Sequence, residues 1–456
     1  MRRAVAALSL GSVDLLLAVG VWLSARWVHI AVGLGPLSDL TYLVFVPGTV
    51  LWAGLRAAVG LYPGYGLSVV ESLRRQSHAT LVAGAVTVVF FYFLHIGDNI
   101  SRLFVLAGFA GLLVLAPLAR AGMRVLLRRG GLWGKPVLVV GEPEDAARVA
   151  RRMREEWELG FVPVFPALYG SPVDEGDLYG HLASLRRRGV DTVIFAVPDL
   201  GGKRLPVSMV QMSYVFRHVI IVPRLEDLES SIVTARNLGG SVGIGIRRNL
   251  LDPWPRFVKR ALDVYGVIMG GLLISPLLFL IALAVLIDSG WPVFYGHRRV
   301  GEGGRHFRCW KFRTMHRDAD RLLEDFIARD PELQREWEQN FKLRRDPRVT
   351  RVGRFLRRTS LDELPQLINV LKGEMSLVGP RPIVDSEVVR YGEEFDLYRR
   401  VRPGISGLWQ IRGRNDTSYA ERVRLDSQYV RNWSIWLDLV ILWRTVICVL
   451  SKRGAY

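Results

Sequence analysis

Four long apolar segments lie within the first 130 residues, and they constrain the fold of this chain more than any other feature. Each approaches or exceeds the ~20 residues that a helix needs to cross the hydrocarbon core of a bilayer. The first segment is too long for the apolar core of a cleavable signal peptide, and further spans follow it. We therefore expect a four-helix transmembrane bundle, made of Ala4 to Ala25, Leu37 to Tyr62, His78 to Ile96 and Leu103 to Leu127.

The connections between these segments predict the orientation of the bundle. Arginines precede the first span, separate the second from the third, and close the fourth, whereas the other two connections contain few Lys or Arg. The positive-inside rule therefore places both ends of the bundle in the cytoplasm. Asp14 lies inside the first span, where it fits a polar contact between helices; a proton or ion site is the alternative.

The overall composition narrows the class of partner. The chain carries 61 Lys and Arg against 43 Asp and Glu, a formal net charge of +18, and half of its 456 residues are hydrophobic. This apolar content excludes a fully disordered chain. Cys309 and Cys448 are the only cysteines, too few for a disulfide framework or for a complete zinc site. The basic surplus favours phosphate-bearing partners such as anionic lipid, and since no nucleic-acid recognition motif is present we expect no nucleic-acid partner.

A basic linker follows the fourth span, and after it the pattern changes to that of a soluble α/β domain. Short apolar strands around a helical stretch predict a parallel, Rossmann-like sheet. Gly141 follows the first strand, but the G-x-G-x-x-G fingerprint is absent, which favours an interaction or regulatory domain over a nucleotide site. The predicted strands are Pro136 to Val140, Val190 to Val197 and His218 to Val222, with a helix from Ala146 to Trp157. The predicted domains are 1–130, 131–250 and 251–456.

A fifth apolar run extends from Val264 to Ile287 and is long enough to span. Basic residues flank both ends, and a full crossing would place a strongly basic domain outside the cell, against the positive-inside rule. In the middle, Pro276 removes a backbone donor and bends a helix, while the Ser275 hydroxyl can satisfy a freed carbonyl. We therefore predict a re-entrant helix at about 258–288 that enters the cytoplasmic leaflet, breaks at Ser275-Pro276 and returns. A kinked fifth span is the alternative.

The last 150 residues contain basic clusters around two adjacent acids, Asp362 and Glu363. Ser360-x-x-Glu363 matches a capping box, which makes the start of a helix one interpretation. The other is catalytic: a carboxylate that attacks phosphorus must be ionised and lie near positive charge and a divalent cation. Both interpretations can hold together. Basic clusters of this kind usually form a solvated or lipid-facing surface. Here, however, Gly and Pro stand beside Arg, a composition that suits bidentate phosphate contacts.

The order and spacing of these motifs resemble the bacterial monotopic phosphoglycosyl transferases through about the last 200 residues. The whole layout is similar to the large, WbaP-like branch, with four spans, an α/β domain and a mainly α catalytic domain. The motifs that carry the resemblance are Lys259-Arg-Ala-Leu-Asp263, Ser275-Pro276, Arg299-Val-Gly301, Lys311-Phe-Arg-Thr-Met315, Thr359-Ser-Leu-Asp-Glu-Leu-Pro-Gln366, Ser376-Leu-Val-Gly-Pro-Arg-Pro382, Arg402-Pro-Gly-Ile-Ser-Gly407 and Asp426-x-x-Tyr429-Val, together with Leu61-Tyr-Pro-Gly-Tyr-Gly66 after the second span.

The resemblance implies a multi-pass enzyme of the bacterial cytoplasmic membrane. It moves a hexose-1-phosphate, galactose slightly ahead of glucose, from a UDP-hexose to undecaprenyl phosphate and releases UMP, at the start of surface polysaccharide synthesis. Asp362 matches the nucleophile that forms a covalent phospho-sugar, and Glu363 matches its partner acid, with both near Mg²⁺. Matching phosphate or nucleotide contacts are Lys311, Arg313, Arg381 and Arg402, followed by Arg357, Arg358 and Asp416; Asp416 equally suits a turn cap. Membrane lipid and a second copy of the chain are further expected partners. The alternative is a non-catalytic membrane scaffold or sensor.

Overall fold

The computed structural model describes residues 2–93, 100–164, 190–197, 216, 218–223, 233–238, 241–246, 250, 253–319, 321, 346, 348–412 and 418–450. The chain divides into two compact units, Met1–Asp227 and Leu228–Tyr456. The three-domain division of the sequence stays a prediction.

The first unit begins with the four helices that the apolar segments predict. They are α1 (Arg2–Ala31), α2 (Asp39–Ala58), α3 (Val69–Phe93) and α4 (Arg102–Arg129). Within the described residues, four helices are long and apolar enough to cross a membrane: α1, α3, α4 and a later helix, Pro253–Ser289. The protein is thus a plausible membrane protein, whereas the bundle as a membrane-spanning assembly stays a prediction.

Close helix packing in the bundle centres on Trp22 of α1. Its ring lies against α4 where Gly108 leaves space: a Cβ there would lie 2.2 Å from the ring. The indole nitrogen donates to Thr49 Oγ1 of α2 at 3.1 Å, which satisfies a buried polar group. Gly111 makes a second close approach, to Val21. Small residues therefore bring α1 and α4 together, as is usual between membrane helices.

A four-stranded parallel sheet follows in the same unit, with β1 at Lys135–Gly141, β2 at Phe161–Val164, β3 at Thr192–Val197 and β4 at His218–Pro223, in the order β2-β1-β3-β4. This confirms the predicted parallel sheet and adds a strand, β2, that the pattern missed. Gly141 has a structural role here, because a Cβ would lie 2.3 Å from the carbonyl oxygen of Ala196 on β3. Between β1 and β2 lie α5 (Pro143–Glu155) and a 3-10 turn (Trp157–Leu159).

The second unit holds an antiparallel pair, β5 (Val233–Leu238) and β6 (Ser241–Ile246), and then the 37-residue helix α6 (Pro253–Ser289). Helix α6 continues through Ser275 and Pro276 without an interruption, and the re-entrant bend expected at these residues stays a prediction. The reason for the continuity is local. Proline leaves the Leu272 carbonyl without its usual donor, and Ser275 Oγ donates to that oxygen at 2.8 Å.

Both ends of α6 pack against the same folded unit. Near its start, Val267 joins a buried cluster with Cys309 and Met375. Near its end, Ile281 and Val285 join another buried cluster. Hydrogen bonds fix both ends as well: Asp263 Oδ1 accepts from Leu377 N at 3.1 Å, and Asp288 Oδ2 accepts from Val352 N at 3.2 Å. The apolar side chains between the two ends are largely exposed, among them Ile268, Met269, Leu272, Leu273, Phe279 and Leu280.

The remaining elements of the second unit are short. Strands β7 (Phe294–Val300) and β8 (His306–Phe312) form an antiparallel hairpin, and β9 (Ser376–Val378) pairs with β10 (Gly404–Ser406) in parallel. The other elements are a 3-10 turn (Glu302–Gly304), α7 (Arg351–Thr359), a 3-10 turn (Leu361–Glu363), α8 (Gln366–Lys372), α9 (Asp385–Tyr391), a 3-10 turn (Gly392–Glu394), α10 (Phe395–Tyr398), α11 (Leu408–Arg412), α12 (Tyr419–Asn432) and α13 (Ile435–Leu450).

Candidate active site

A cavity of about 1330 Å³ lies in the second unit, and the two acids predicted from the sequence line it. Three of the predicted basic residues line the same cavity. Asp362 and Glu363 are thus brought together with Lys311, Arg313 and Arg357. The arrangement places a pair of carboxylates among cationic side chains, as the catalytic interpretation requires.

Strand β8 presents Lys311 to the acids. Side chains alternate along a strand, so Lys311 lies on the same face as Phe307 and Cys309, both buried against α6 and α8. Asn369 of α8 locks the strand in place: its side chain accepts from Trp310 N at 3.0 Å and donates to Arg308 O at 2.7 Å. This buried amide therefore fixes the position of strand β8, and with it Lys311, relative to helix α8.

The two acids lie on a tight turn between α7 and α8. Ser360 ends α7 in the left-handed conformation, at φ 56°, the one positive φ of a non-glycine residue in the described ranges. Its side chain makes no capping hydrogen bond, so the capping-box prediction for Ser360 and Glu363 is wrong. Ser360 closes the preceding helix instead. A left-handed non-glycine residue costs about 1–3 kcal/mol, and such strain is concentrated at functional sites.

Asp362 is buried, with 8% of its surface exposed. Burial and, to a smaller extent, the neighbouring charge of Glu363 raise the pKa of Asp362, while Lys311 and Arg357 lower it, and the net pKa is raised to about 6. The cations therefore oppose the cost of desolvating the carboxylate. The side chain remains mostly ionised at neutral pH and is poorly solvated, and both properties favour a nucleophile.

Glu363 forms an ion pair with Lys311, whose Nζ donates to Glu363 Oε1 at 2.7 Å. Burial lowers the pKa of Lys311, but the charges of Glu363 and Asp362 raise it by more, so the net pKa is raised. Lys311 is therefore held as an ammonium group beside both acids. One cation thus links the strand to the acidic turn.

Helix α7 is held against the strand through Thr314. Thr350 caps α7 by accepting from Gly353 N at 2.9 Å, and Thr350 N donates to Thr314 O at 3.1 Å. A Cβ on Gly353 would lie 2.1 Å from that same carbonyl oxygen, so only glycine fits. At the other end of α7, Arg357 Nε donates to Thr314 Oγ1 at 2.9 Å. Thr314 thereby positions both ends of the helix that carries the acidic turn.

The Gly379-Pro-Arg-Pro382 and Arg402-Pro-Gly404 motifs meet in the structure. Gly379 and Gly404 touch through their backbones: a Cβ on Gly404 would lie 2.0 Å from Gly379 N. Arg402 Nε donates to Glu302 Oε2 at 3.1 Å, and Arg381 lies over the ring of Trp409, a residue of the cavity lining, at 5.3 Å. Neither arginine lines the cavity itself, and their phosphate contacts stay predictions.

A family of known proteins matches the part of the chain that forms the cavity. The family described as bacterial sugar transferase matches residues 254–452, a range that contains the whole cavity. An undecaprenyl-phosphate galactose phosphotransferase of Salmonella typhimurium is 37% identical over 75% of this chain and 74% of that protein. The chain belongs to the bacterial sugar transferase family. It is therefore a transferase.

Two further relatives of this sugar transferase match different shares of the chain. An exopolysaccharide production protein, ExoY of Rhizobium meliloti, is 52% identical over 43% of this chain but 88% of its own length. A UDP-glucose:undecaprenyl-phosphate glucose-1-phosphate transferase of Escherichia coli is 33% identical over 72% of this chain and 71% of that protein. ExoY therefore matches less than half of this chain with nearly its whole length.

The cavity lining of this sugar transferase also differs from the predicted set of contacts at other positions. Arg358 follows Arg357 on α7 but does not line the cavity, and Asp416 lies outside the described residues. Arg299 and Trp409 line it without having been singled out. The sequence did contain a pointer to Arg299, because this residue opens the Arg299-Val-Gly301 motif. No sequence pattern pointed to Trp409.

Asp362 and Glu363 could supply some, but not all, of the ligands of a Mg²⁺ ion. Asp362 and Glu363 supply hard carboxylate oxygens at one cavity, and Mg²⁺ commonly uses one or two protein carboxylates with water and substrate phosphates for the rest. Among the described residues, no group of three or more His, Cys, Asp or Glu could hold a metal without such help. The donor set therefore fits an ion that arrives with, or is completed by, a phosphate substrate.

Proposed function

We propose that this sugar transferase moves a hexose-1-phosphate from a UDP-hexose to undecaprenyl phosphate and releases UMP, at the start of surface polysaccharide synthesis. The observation that carries the proposal is the buried Asp362 carboxylate in a cavity with Lys311, Arg313 and Arg357. The printed names of relatives include both galactose and glucose transferases. Galactose is the first sugar to test, because the galactose enzyme matches more of this chain.

In the first step an Asp362 oxygen attacks the phosphorus that bears the sugar. The bond from this phosphorus to the bridging oxygen breaks, UMP leaves with that oxygen, and an aspartyl phospho-sugar remains. Lys311 and Arg357, which flank the carboxylate, offset the negative charge of the diphosphate as it approaches. Arg313, which also lines the cavity, provides a further phosphate contact.

In the second step a phosphate oxygen of undecaprenyl phosphate attacks the same phosphorus. The bond to Asp362 breaks, the carboxylate is restored, and the product is an undecaprenyl diphosphate sugar. Glu363 and the free Asp362 carboxylate are the residues that would hold Mg²⁺, which would supply positive charge to offset the negative charge of the phosphates. Lys311 keeps Glu363 oriented through their 2.7 Å ion pair.

The proposal includes a cytoplasmic membrane location with α6 as a re-entrant helix. Straight, its 37 residues would extend about 55 Å, far beyond the ~30 Å hydrocarbon core. Support comes from its packing, since Val267 and Val285 near opposite ends are both buried against the folded unit that contains the cavity. A full crossing would separate these ends by a bilayer. Dimerisation stays a prediction.

The decisive experiment is UMP release from a UDP-hexose without lipid acceptor. Asp362→Asn should abolish both the release and any covalent phospho-sugar seen by mass spectrometry of the intact protein. The matched control is Asp396→Asn, since Asp396 is an exposed aspartate that pairs with Arg399 on the surface. Full UMP release by Asp362→Asn, with the control also active, would reject the aspartyl mechanism.

Topology has its own test at Phe294, just after α6. In a Cys448→Ser background, Phe294→Cys should react with a membrane-impermeant thiol reagent only from the cytoplasmic side. Reaction from the outside alone would establish a fifth crossing.

A further inference from the structure

The loop between α2 and α3 carries the segment Leu61-Tyr-Pro-Gly-Tyr-Gly66, which the proposed reaction does not use. In the structure this loop folds around one arginine of α4. Arg120 Nη2 donates to the carbonyl oxygens of Leu61 and Pro63. Gly64 has φ +78°, and a Cβ there would lie 3.1 Å from Arg120 Nη2. The segment is therefore shaped to enclose a guanidinium group.

Arg120 belongs to a buried cluster of three arginines with one acid, which we call the bundle arginine cluster: Arg56, Arg120, Arg124 and Asp14. At most 5% of any of these residues is exposed. Arg56 Nε and Nη2 each donate to Asp14 at 3.1 Å, and Tyr62 donates to the same carboxylate. Asp14 thus forms the polar contact between helices that its position suggested.

The cluster contains more positive than negative charge. Asp14 pairs with Arg56 at 3.1 Å and with Arg120 at 4.0 Å but carries one negative charge, and Glu158 outside the spans attracts Arg124. The guanidinium groups also repel one another, since Arg120 lies within electrostatic range of both Arg56 and Arg124. Counting Glu158 in full, three cations face two anions, so at least one positive charge in the bundle has no counter-charge among these groups.

The cluster also contains more hydrogen-bond donors than acceptors. Four guanidinium nitrogens have no hydrogen-bond partner among the described residues, although all are buried: Arg56 Nη1, Arg120 Nε, Arg120 Nη1 and Arg124 Nε. A guanidinium group cannot accept hydrogen bonds or give up its proton, so only an acceptor can satisfy these atoms. Buried, unpaired charge among membrane helices is strongly unfavourable. The cluster is therefore incomplete as it stands.

We propose that the bundle arginine cluster is a binding site for one phosphate group, with the Leu61–Gly66 loop as its cover. Phosphate supplies several acceptor oxygens and negative charge, and guanidinium groups bind it through paired N–H donors. The group comes either from a lipid head group that enters between the helices or from inorganic phosphate. The site lies in the first unit and does not depend on the proposed catalytic reaction.

The experiment measures the apparent melting temperature of the full chain in lipid nanodiscs. One arm compares phosphatidylcholine alone with phosphatidylcholine containing phosphatidic acid. The other keeps pure phosphatidylcholine and replaces sodium chloride with sodium phosphate at equal ionic strength. A ligand that binds only the folded state raises the melting temperature by mass action. A rise in the first arm alone identifies a lipid head group, and a rise in the second identifies inorganic phosphate.

Variants assign the rise to the cluster. Arg124→Gln removes one guanidinium group and should abolish most of the rise, with binding weakened about tenfold or more, since hydrogen bonds to charged groups are the stronger class. Arg74→Gln removes the same charge from an exposed position on α3 and should keep the full rise. If Arg124→Gln does not fold, Arg124→Lys replaces it. No rise in either arm, or an equal rise in wild type and the Arg124 variant, overturns the proposal.

Discussion

Replacing Gly353 with alanine tests whether the position of α7 sets the catalytic geometry. The added Cβ would lie 2.1 Å from the Thr314 carbonyl oxygen and 2.7 Å from two further backbone atoms of Thr314. A carbon–oxygen contact needs about 3.3 Å, so the start of α7 must move by about 1.2 Å relative to β8. Backbone atoms cannot rotate away as a flexible side chain can.

The movement reaches Asp362 because α7 is a single rigid helix that leads directly into the acidic turn. A displacement of about 1 Å at a catalytic group costs on the order of 100-fold in rate. We therefore expect kcat for UMP release from a UDP-hexose to fall on the order of 100-fold in Gly353→Ala, measured with purified protein in detergent and saturating donor.

The control is Gly20→Ala on α1, where an added Cβ meets nothing within 4 Å. Its activity should equal that of the wild type, since alanine also suits an exposed helix better than glycine. Gly353→Ala must elute as the wild type does and unfold cooperatively. A folded Gly353→Ala variant with wild-type kcat would refute the argument that α7 positions the nucleophile.

Three further predictions concern neighbouring residues. Asn369→Leu should lower the apparent melting temperature, because the Trp310 N–H and Arg308 carbonyl lose their partner at about 1–3 kcal/mol each, whereas Ile368→Leu should not. Arg357→Gln should lower kcat/KM for the UDP-hexose at least about tenfold, while UMP release by Arg358→Gln stays near wild type, since only Arg357 lines the cavity; equal effects would contradict this. Burial raises the pKa of Asp426 to about 7 from 3.8, so the folded state holds a proton that the unfolded state has lost. Stability should then fall by up to about 4 kcal/mol as pH rises from about 4 to 7, and Asp426→Asn should remove this fall in pH-resolved melting curves.

The large elements of the fold were predictable because their signals are local. Apolar length alone gave α1 to α4, and short apolar runs gave β1, β3 and β4. β2 (Phe161–Val164) was missed, since four residues around Pro163 carry too little pattern. The continuity of α6 was missed for another reason: composition shows that Ser275 can bond a freed carbonyl, but not that one such bond is sufficient to keep the helix intact.

The candidate site was predictable in its acids and less so in its cations. The Ser360-x-x-Glu363 pattern matches a capping box at the start of a helix. The structure shows instead that Ser360 ends the preceding helix α7. Arg381 and Arg402 were chosen for Gly and Pro neighbours, which do bring the two motifs together. Where a guanidinium points depends on distant partners such as Glu302 and Trp409, and no local pattern contains them.

The cavity lining contains both cationic and uncharged side chains, which suits two substrates of opposite character. Lys311 and Arg357 are cationic parts of the lining, whereas Trp291, Trp409 and Cys448 are uncharged parts. Cys448 lies on α13, whose other side chains include exposed apolar residues, namely Leu439, Trp443, Val446 and Ile447. Exposed apolar stripes on α6 and α13 border the same unit, and both fit a lipid interface. We infer that the lipid acceptor reaches Asp362 past α13 and the nucleotide sugar past Lys311, so that UMP can leave before the acceptor enters. Leu439→Asp on the α13 stripe should then slow transfer to undecaprenyl phosphate while leaving UMP release without acceptor unchanged; loss of both would place α13 in the first step.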